Sequence, residues 1–160
     1  MTIRRSFEAC KGYENVQLPK RSTTNAAGYD FYADEDVTIP SIVSTLWGLI
    51  KGNPVKPTIV HTHVKARMRS NEVLLAFNRS SNPGRGLILA NGVGVIDADY
   101  YGNPNNDGDI GFGFYNILPV AVTIKKGQRI GQGLFTTFLK TYEDTPSKNK
   151  REGGFGSTGE

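Results

Sequence analysis

Short apolar runs recur along the chain and are separated by residues that favour turns. Runs of this length that are rich in Val, Ile and aromatic residues predict β-strands, and the Gly, Asn and Pro clusters between them predict turns. Many short strands at near-regular spacing indicate an all-β sandwich, jelly roll or barrel. We predict strands at residues 3–7, 37–39, 59–66, 73–77, 87–89, 110–115, 120–124 and 133–138.

Two segments depart from this strand pattern. Residues 41–57 include the only tryptophan, Trp47, and predict one short amphipathic helix or an elaborated loop. Because tryptophan is usually largely buried, we expect a small satellite core here and not a partner-binding face. Residues 146–160 have one large apolar residue, Phe155, which is too little to order the segment by itself. We therefore predict a β-barrel domain at 1–145, with 41–57 as an insertion, and a mobile C-terminal arm at 146–160.

Composition narrows the class of protein. A length of 160 residues favours one domain, and a net charge of +4 suits a polyanionic ligand but is too weak and dispersed to indicate nucleic acid. Cys10 is the only cysteine, so no internal disulfide can form and a reducing compartment is favoured. The N-terminus lacks the apolar region of a secretory signal, and no apolar run approaches the ~20 residues of a membrane helix. We expect a soluble, cytoplasmic protein that binds neither nucleic acid nor a membrane.

The segment 91–100, Asn-Gly-Val-Gly-Val-Ile-Asp-Ala-Asp-Tyr, combines glycines with two acids. Gly92 and Gly94 allow positive φ or close backbone approach. A continuous strand would place Asp97 and Asp99 on the same face, where two carboxylates repel unless a metal, a base or water separates their roles. Taken alone, the segment fits an acidic surface hairpin and a functional site equally well.

Three other segments carry candidate phosphate-binding groups. Arg79 is followed by two serine hydroxyls, although a surface Arg in a hydroxyl-rich turn explains this pattern better when it is taken alone. Gln132 could orient a water molecule or a phosphate oxygen. The glycine-rich arm can turn its N–H groups toward phosphate, Lys150 and Arg151 add charge, and Phe155 offers a face for stacking on a base.

Together these segments resemble, in order, the five motifs of the trimeric dUTP pyrophosphatases (dUTPases). The matching residues are 27–30, 79–81, 94–100, 129–132 and 153–159, and the resemblance runs from about residue 16 to the end. The third and fifth motifs are specific, whereas the others are short. The resemblance implies a distorted jelly-roll β-barrel and a homotrimer with shared active sites, in which the arm of one chain closes over a pocket formed by others.

The same resemblance implies hydrolysis of dUTP to dUMP and pyrophosphate, which removes dUTP and supplies dUMP for dTMP synthesis. Asp97 would activate the water that attacks the α-phosphorus, and Gln132 would lie near that phosphate. Mg²⁺ would neutralise the phosphate oxygens, with Asp30 contacting the ion through its water shell. The resemblance assigns phosphate contacts to Arg79, Ser80 and Ser81.

Specificity for deoxyuridine follows from the third motif and the arm. Asn91 matches the family position that meets the uracil edge, beside the backbone of Val95 and Ile96. Tyr100 matches the residue under the sugar, which leaves no room for a 2′-hydroxyl. Phe155 would stack over the uracil when the arm closes, and closure would expel water.

The chain departs from the family pattern in the arm and in two loops. The fifth motif usually reads Arg-Gly-x-Gly-Gly-Phe, whereas residues 150–155 read Lys-Arg-Glu-Gly-Gly-Phe. Either Lys150 or Arg151 would meet the γ-phosphate, and Lys would lose the bidentate fork of Arg. Residues 41–57 and 103–109 resemble insertions of viral and prophage members, and we assign neither a function. The remaining arm contacts implied by the resemblance are Gly156 and Ser157.

Two rival functions, and the role of one pair of histidines, stay open. A dCTP deaminase shares the fold but needs a glutamate in the strand after the third motif, and residues 110–116 contain no acid, so we expect no deamination. A nucleotide-gated regulator would bind dUTP and also a viral regulatory protein, through the arm or the Trp47 insertion. His61 and His63 would share one side of a strand. Zinc would need further ligands, and because none has suitable spacing we expect a structural role.

Overall fold

The computed structural model describes residues 4–146, 153 and 154, and most of its secondary structure is β-strand. The only α-helix among these residues is α1 (Ile42–Ile50). The strands are β1 Ser6–Ala9, β2 Lys20–Arg21, β3 Tyr29–Tyr32, β4 Val37–Ile39, β5 Thr58–His61, β6 Val64–Arg67, β7 Glu72–Asn78, β8 Leu87–Leu89, β9 Val93–Asp97, β10 Gly111–Asn116, β11 Val122–Ile124 and β12 Arg129–Thr137. The prediction of an all-β domain is confirmed.

Every strand pair is antiparallel, and the largest sheet has the order β2-β3-β12-β7-β9. A second sheet has the order β5-β10-β8, and two strand pairs, β1-β6 and β4-β11, complete the barrel. Most neighbouring strands are far apart in sequence, and the buried residues form one core cluster. Its largest fully buried side chains include Phe31, Phe112, Phe114, Leu74 and Ile130.

Glycine at position 131 is required by this core. A Cβ built on Gly131 would overlap the ring of Phe112, which lies on the facing strand β10. Since an aromatic ring in a packed core cannot move without disturbing its neighbours, any larger residue at 131 would displace it. Gly131 is therefore required for packing of the barrel core.

The strand predictions are confirmed at 37–39 and 87–89 and extended by one residue at each end of 73–77. The predicted strand at 59–66 is wrong as one element, because the chain breaks into β5 and β6 at Thr62 and His63, and His63 has a φ of 51°. The first predicted strand lies three residues later, as β1. The apolar pattern predicts no strand between residues 8 and 36, so β2 and β3 are not among the predicted strands.

The segment 41–57 does not form the satellite core that the sequence predicts. Its helix begins after the N-cap Ser41, whose Oγ accepts a hydrogen bond from the N–H of Ser44. No residue of α1 is buried, and Trp47 is 60% exposed. Ile42, Thr45 and Gly48 are partly covered, whereas the apolar side chains Val43, Leu46, Trp47, Leu49 and Ile50 remain in contact with solvent.

The lone cysteine is part of the barrel interior. Cys10 follows β1, and its N–H donates to the carbonyl of His63. Burial raises the pKa of the Cys10 thiol to about 12, so the thiolate is scarce at neutral pH. No helix in the described part of the chain is long and apolar enough to cross a membrane.

Candidate active site

Residues of the first, second and fourth motifs meet around the carboxylate of Asp30. Asp30 lies on β3, directly opposite Gln132 on β12. The guanidinium of Arg129 donates to Asp30 Oδ2 at 3.2 Å, and Arg79 Nε lies 3.6 Å from Oδ1. Ser22 Oγ donates to the same carboxylate at 2.7 Å. Because Asp30 is only 8% exposed, these partners hold a charged group that would be costly to bury alone.

The side chain of Gln132 lies against Gly28 of the first motif, where any larger residue would crowd it. A Cβ built on Gly28 would lie 2.8 Å from Gln132 Oε1, which is closer than real Cβ contacts allow. The absence of a side chain at Gly28 therefore lets the Gln132 amide lie against the start of β3. The geometry joins two motifs that are about a hundred residues apart in the sequence.

The Arg-Ser-Ser segment forms the turn that follows β7. Arg79 begins this turn, and one of its guanidinium nitrogens lies 3.4 Å from Ser81 Oγ. The turn is fixed by Asn82, whose amide donates to the carbonyl of Ile130 at 2.8 Å and to Asn78 Oδ1 at 2.7 Å. Asn82 is not among the site residues predicted from the sequence. Its burial and its bond to β12 show that it anchors the second motif beside the fourth.

The third motif consists of a tight turn, a strand and a short 3-10 helix. Asn91 and Gly92 form the turn, in which the N–H of Val93 donates to the carbonyl of Asn91 at 2.7 Å and Gly92 has a φ of 65°. β9 ends at Asp97, and residues 98–100 form the 3-10 helix. The expectation that Asp97 and Asp99 share the face of a strand is therefore wrong, because strand alternation stops at Asp97.

Residues 95 and 96 occupy opposite faces of β9. The side chain of Val95 is exposed, whereas Ile96 packs against the barrel core. Both residues pair with β7, Val95 with Leu75 and Ile96 with Leu74. The side of β9 that carries Val95, next to the Asn91 turn, is therefore open to solvent.

Tyr100 is buried and held at both ends. Its hydroxyl donates to the carbonyl of Asp109 and accepts from the amide of Asn106, each at 2.7 Å. Its own carbonyl accepts from the amide of Asn103 at 2.9 Å. In the arm, a Cβ on Gly154 would lie 2.9 Å from the ring and from the hydroxyl, so the arm backbone passes directly over Tyr100.

The loop at 103–109 is therefore a support for Tyr100. Asn106 Oδ1 accepts from Asn103 and from the N–H of Gly108, which closes the loop on itself. Asp107 attaches it to β6, since Oδ2 accepts from Lys65 Nζ at 2.6 Å. The hydrogen bond from Lys65 lowers the pKa of Asp107, so this attachment is charged at neutral pH.

The two groups of motif residues lie at opposite ends of β7. Asp97 pairs with Val73 near the beginning of this strand, whereas Arg79 follows its end. Six residues of extended chain span about 20 Å, so one chain does not bring Asp97 to the cluster of Asp30, Arg79 and Gln132. The predicted arm contacts Lys150, Arg151, Phe155, Gly156 and Ser157 lie outside the described residues.

Comparison with known proteins gives a consistent family. The sequence model of the dUTPase family matches residues 14–159. The chain is 42% identical over 159 residues to a deoxyuridine 5′-triphosphate nucleotidohydrolase of Lactococcus lactis, with 97% of each protein covered. It is 30% identical over 150 residues to the human mitochondrial enzyme of that name, covering 91% of this chain and 52% of the human protein.

Solved structures agree with these sequence relatives. The fold is similar to the crystal structure of the Streptococcus mutans dUTPase, with a TM-score of 0.71 and 42% identity over 85% of this chain and 98% of that one. It also matches the dUTPase from phage phi11 of S. aureus with a TM-score of 0.65, covering 92% of this chain and 98% of that one, and at 16% identity this supports the fold alone. The chain belongs to the dUTPase family.

Proposed function

We propose that this protein hydrolyses dUTP to dUMP and pyrophosphate and so removes dUTP while supplying dUMP for dTMP synthesis. The observation that carries the proposal is the cluster in which Arg79, Arg129 and Gln132 surround Asp30. Guanidinium groups fixed at the end of a sheet suit triphosphate oxygens, which they bind in a bidentate manner. Membership of the dUTPase family and 42% identity to a named dUTP nucleotidohydrolase support the same reaction.

In the proposed mechanism, Asp97 accepts a proton from the attacking water as the oxygen bonds to the α-phosphorus. The bond from that phosphorus to the bridging oxygen breaks, and pyrophosphate leaves with its electron pair. Gln132 orients the water or an α-phosphate oxygen, and Arg79, Ser80 and Ser81 bind phosphate oxygens. These groups act mainly by positioning and by neutralising charge, as phosphoryl transfer requires.

Mg²⁺ fits this site as a group bound mainly by the triphosphate. The carboxylate of Asp30 offers oxygen donors, which a hard cation prefers, but Arg79 and Arg129 already engage both of its oxygens. A contact through the water shell of the ion therefore suits Asp30 better than direct coordination. When bound, Mg²⁺ would neutralise charge on the phosphate oxygens.

Selection of deoxyuridine is proposed for the Asn91 turn and Tyr100. The amide of Asn91 and the backbone of Val95 and Ile96 would read the uracil edge in a turn too narrow for a thymine methyl group. Tyr100 is fixed by two hydrogen bonds, so its ring cannot move aside to admit a ribose 2′-hydroxyl. We extend the proposal to the arm at 146–160, which would close over the site and stack Phe155 on the base.

The substrate proposal is tested by measuring pyrophosphate release from dUTP, dTTP, dCTP and UTP under identical conditions. We expect release from dUTP to exceed release from each of the others by at least about 100-fold, since a site built around polar contacts rejects analogues strongly. Equal release from all four would contradict the proposed specificity. Ammonia from dCTP would instead support the deaminase alternative.

We also propose that the active site is shared between chains of a homotrimer. The roughly 20 Å along β7 between Asp97 and Arg79 supports this, since one substrate cannot meet both residues of one chain. Asp97→Asn and Arg79→Ala chains, each inactive alone, should form some intact sites when they are co-folded in equal amounts. Random mixing predicts recovery of about a quarter of the wild-type activity. No recovery, in a sample whose measured mass is that of a trimer, would place the whole site in one chain.

A second, binding function is supported by the exposed side chains of α1. Trp47 and Ile50 are 60% and 76% exposed, and neighbouring apolar groups of this size are typical of surfaces that bind a partner. We propose a regulatory protein partner encoded by a virus, in the cytoplasm of a bacterium or an infected bacterial host. Pull-downs with and without dUTP, from chains with and without residues 41–57, test this role. Equal recovery of partner in all samples would exclude it.

A further inference from the structure

A cluster of metal-ligating side chains lies at the turn between β5 and β6. His61, His63 and Asp109 each place one ligand atom within 4.8 Å of the others. His61 ends β5, and Asp109 comes just before β10, which pairs with β5. The third ligand is thus supplied by strand pairing and not by nearness in sequence, so the His-x-His pattern alone could not indicate it.

The turn that carries the two histidines is held rigidly. Thr62 between them is buried, and its hydroxyl donates to the carbonyl of Ile110 at 2.7 Å. His63 has a φ of 51°, a left-handed conformation that is uncommon for residues other than glycine and that costs conformational energy. It is stabilised by the bond from the N–H of His63 to Asp109 Oδ1 at 2.7 Å. The same bond fixes the Asp109 carboxylate beside both imidazoles.

Each imidazole has a carboxylate at Nδ1. His61 Nδ1 lies 2.5 Å from Asp109 Oδ2, and His63 Nδ1 lies 3.0 Å from Asp34 Oδ2. The ring of His63 is also stacked on Tyr13, with centroids 3.6 Å apart and planes 4° from parallel. The Asp34 carboxylate at Nδ1 of His63 is the usual support of a metal-bound histidine, since it fixes the tautomer and makes Nε2 a better ligand, whereas Asp109 is placed to be a ligand itself. Within the described chain, neither Nε2 has a hydrogen-bond partner.

We propose that His61, His63 and Asp109 bind one divalent transition-metal ion, with water completing the coordination. Two imidazoles and one carboxylate are a donor set for Zn²⁺, Co²⁺ or Ni²⁺, whereas Mg²⁺ prefers oxygen alone. Ligand bonds of about 2.0–2.2 Å require the three atoms to draw closer by roughly an ångström. The side chain of His61 is 43% exposed, so its ring can rotate out of the bond to Asp109 Oδ2 and leave that oxygen for the ion.

The ion would stabilise the support of Tyr100. The carbonyl of Asp109 accepts the hydrogen bond of the Tyr100 hydroxyl, and the Asp109 side chain is a proposed ligand. Metal binding at Asp109 therefore fixes one end of the loop at 103–109. The role is structural, and binding of the ion does not depend on the proposed hydrolysis of dUTP.

The test is a titration of chelator-treated, full-length protein, free of any histidine tag, with Co²⁺ in excess Mg²⁺ and without nucleotide. We expect one Co²⁺ per chain, visible d–d absorption of low-coordinate Co²⁺, and displacement of Co²⁺ by Zn²⁺. His63→Asn should abolish the absorption and weaken binding at least about 100-fold, and asparagine tolerates the left-handed backbone. Asp34→Asn should weaken binding by about 10-fold to 100-fold, as expected for a residue behind the ligand.

Asp107→Asn is the matched control, because Asp107 lies in the same loop but bonds Lys65 and the N–H of Lys11 instead. Binding should be unchanged in this variant. If His63→Asn does not fold, His61→Gln, at an exposed side chain, replaces it. Absence of the Co²⁺ absorption in the wild-type protein, or its persistence in the folded histidine variants, would overturn the metal site. Either result leaves pyrophosphate release from dUTP as a separate question.

Discussion

Asp30 and Tyr100 are both buried, but they are held by opposite means. Asp30 is stabilised by charge, through two guanidinium groups contributed by other motifs. Tyr100 is held by neutral hydrogen bonds from a loop that no motif includes. Family motifs therefore describe the Asp30 side of the site almost completely, whereas the support of Tyr100 comes from sequence outside them.

The largest expected effect on activity comes from Asp97, which lies in the same motif as Tyr100. Asp97→Asn should lower kcat by about 100-fold to 10,000-fold, because the amide cannot accept the proton of the attacking water. Binding of a non-hydrolysable dUTP analogue should change little. The measurements are steady-state pyrophosphate release and calorimetric titration with the analogue. An unchanged kcat would remove Asp97 from the reaction.

A smaller loss is expected in the Asp30 half from Gly28→Ala. The new Cβ would lie 2.8 Å from Gln132 Oε1 and displace that amide, so kcat should fall by about 10-fold to 100-fold. Gly84→Ala is the matched control, since a Cβ at Gly84 meets nothing within 4 Å. Equal activity of the two alanine variants would show that the position of Gln132 is unimportant.

Selectivity for dUTP over UTP is expected to fall when the loop at 103–109 loses its hydrogen bond to Tyr100. Asn106→Asp keeps the oxygen that accepts from Asn103 and Gly108 but removes the donor to the Tyr100 hydroxyl. The ratio of kcat/KM for UTP to that for dUTP should rise by about 3-fold to 10-fold, which corresponds to one hydrogen bond of about 1 kcal/mol. Asn105→Asp serves as the control. If thermal stability falls while the ratio is unchanged, the loop is only structural.

The smallest expected effect is on stability at α1, which contains neither Asp30 nor Tyr100. Trp47→Ser should change the free energy of unfolding by no more than about 0.5 kcal/mol, because the side chain is largely exposed. Phe112→Ala, in the core, should cost about 3–5 kcal/mol. Urea unfolding of both variants makes the comparison. A cost at Trp47 similar to that at Phe112 would restore the satellite core expected from the sequence.

The fold class and the order of the motifs along the chain could be predicted, because both depend on patterns within short segments of the sequence. Apolar periodicity marks strands such as β4 and β8, and short motifs mark Asp30, Arg79 and Asp97. The 3-10 helix that separates Asp97 from Asp99 could not be seen, because strand alternation and a short helix both accommodate that sequence. The exposure of Trp47 was also missed, because burial depends on what packs against a helix and not on the residue type.

Long-range pairing decided the remainder of the site. The pairing of β9 with β7 places Asp97 and Arg79 at opposite ends of one strand, and this register has no local signature. The same is true of Asp109, which joins His61 across strands separated by almost fifty residues. Patterns within a segment predicted which residues are candidates for the site, whereas the distances between those residues follow only from the assembled barrel.

The burial of Cys10 has a practical consequence for spectroscopy. Because burial raises the pKa of the Cys10 thiol to about 12, we expect this thiol to react slowly with maleimide reagents and to give little background labelling. A single cysteine introduced at the exposed Tyr142, before the arm, could therefore carry a fluorophore without first removing Cys10. The fluorescence of such a label could then be followed as nucleotide is added.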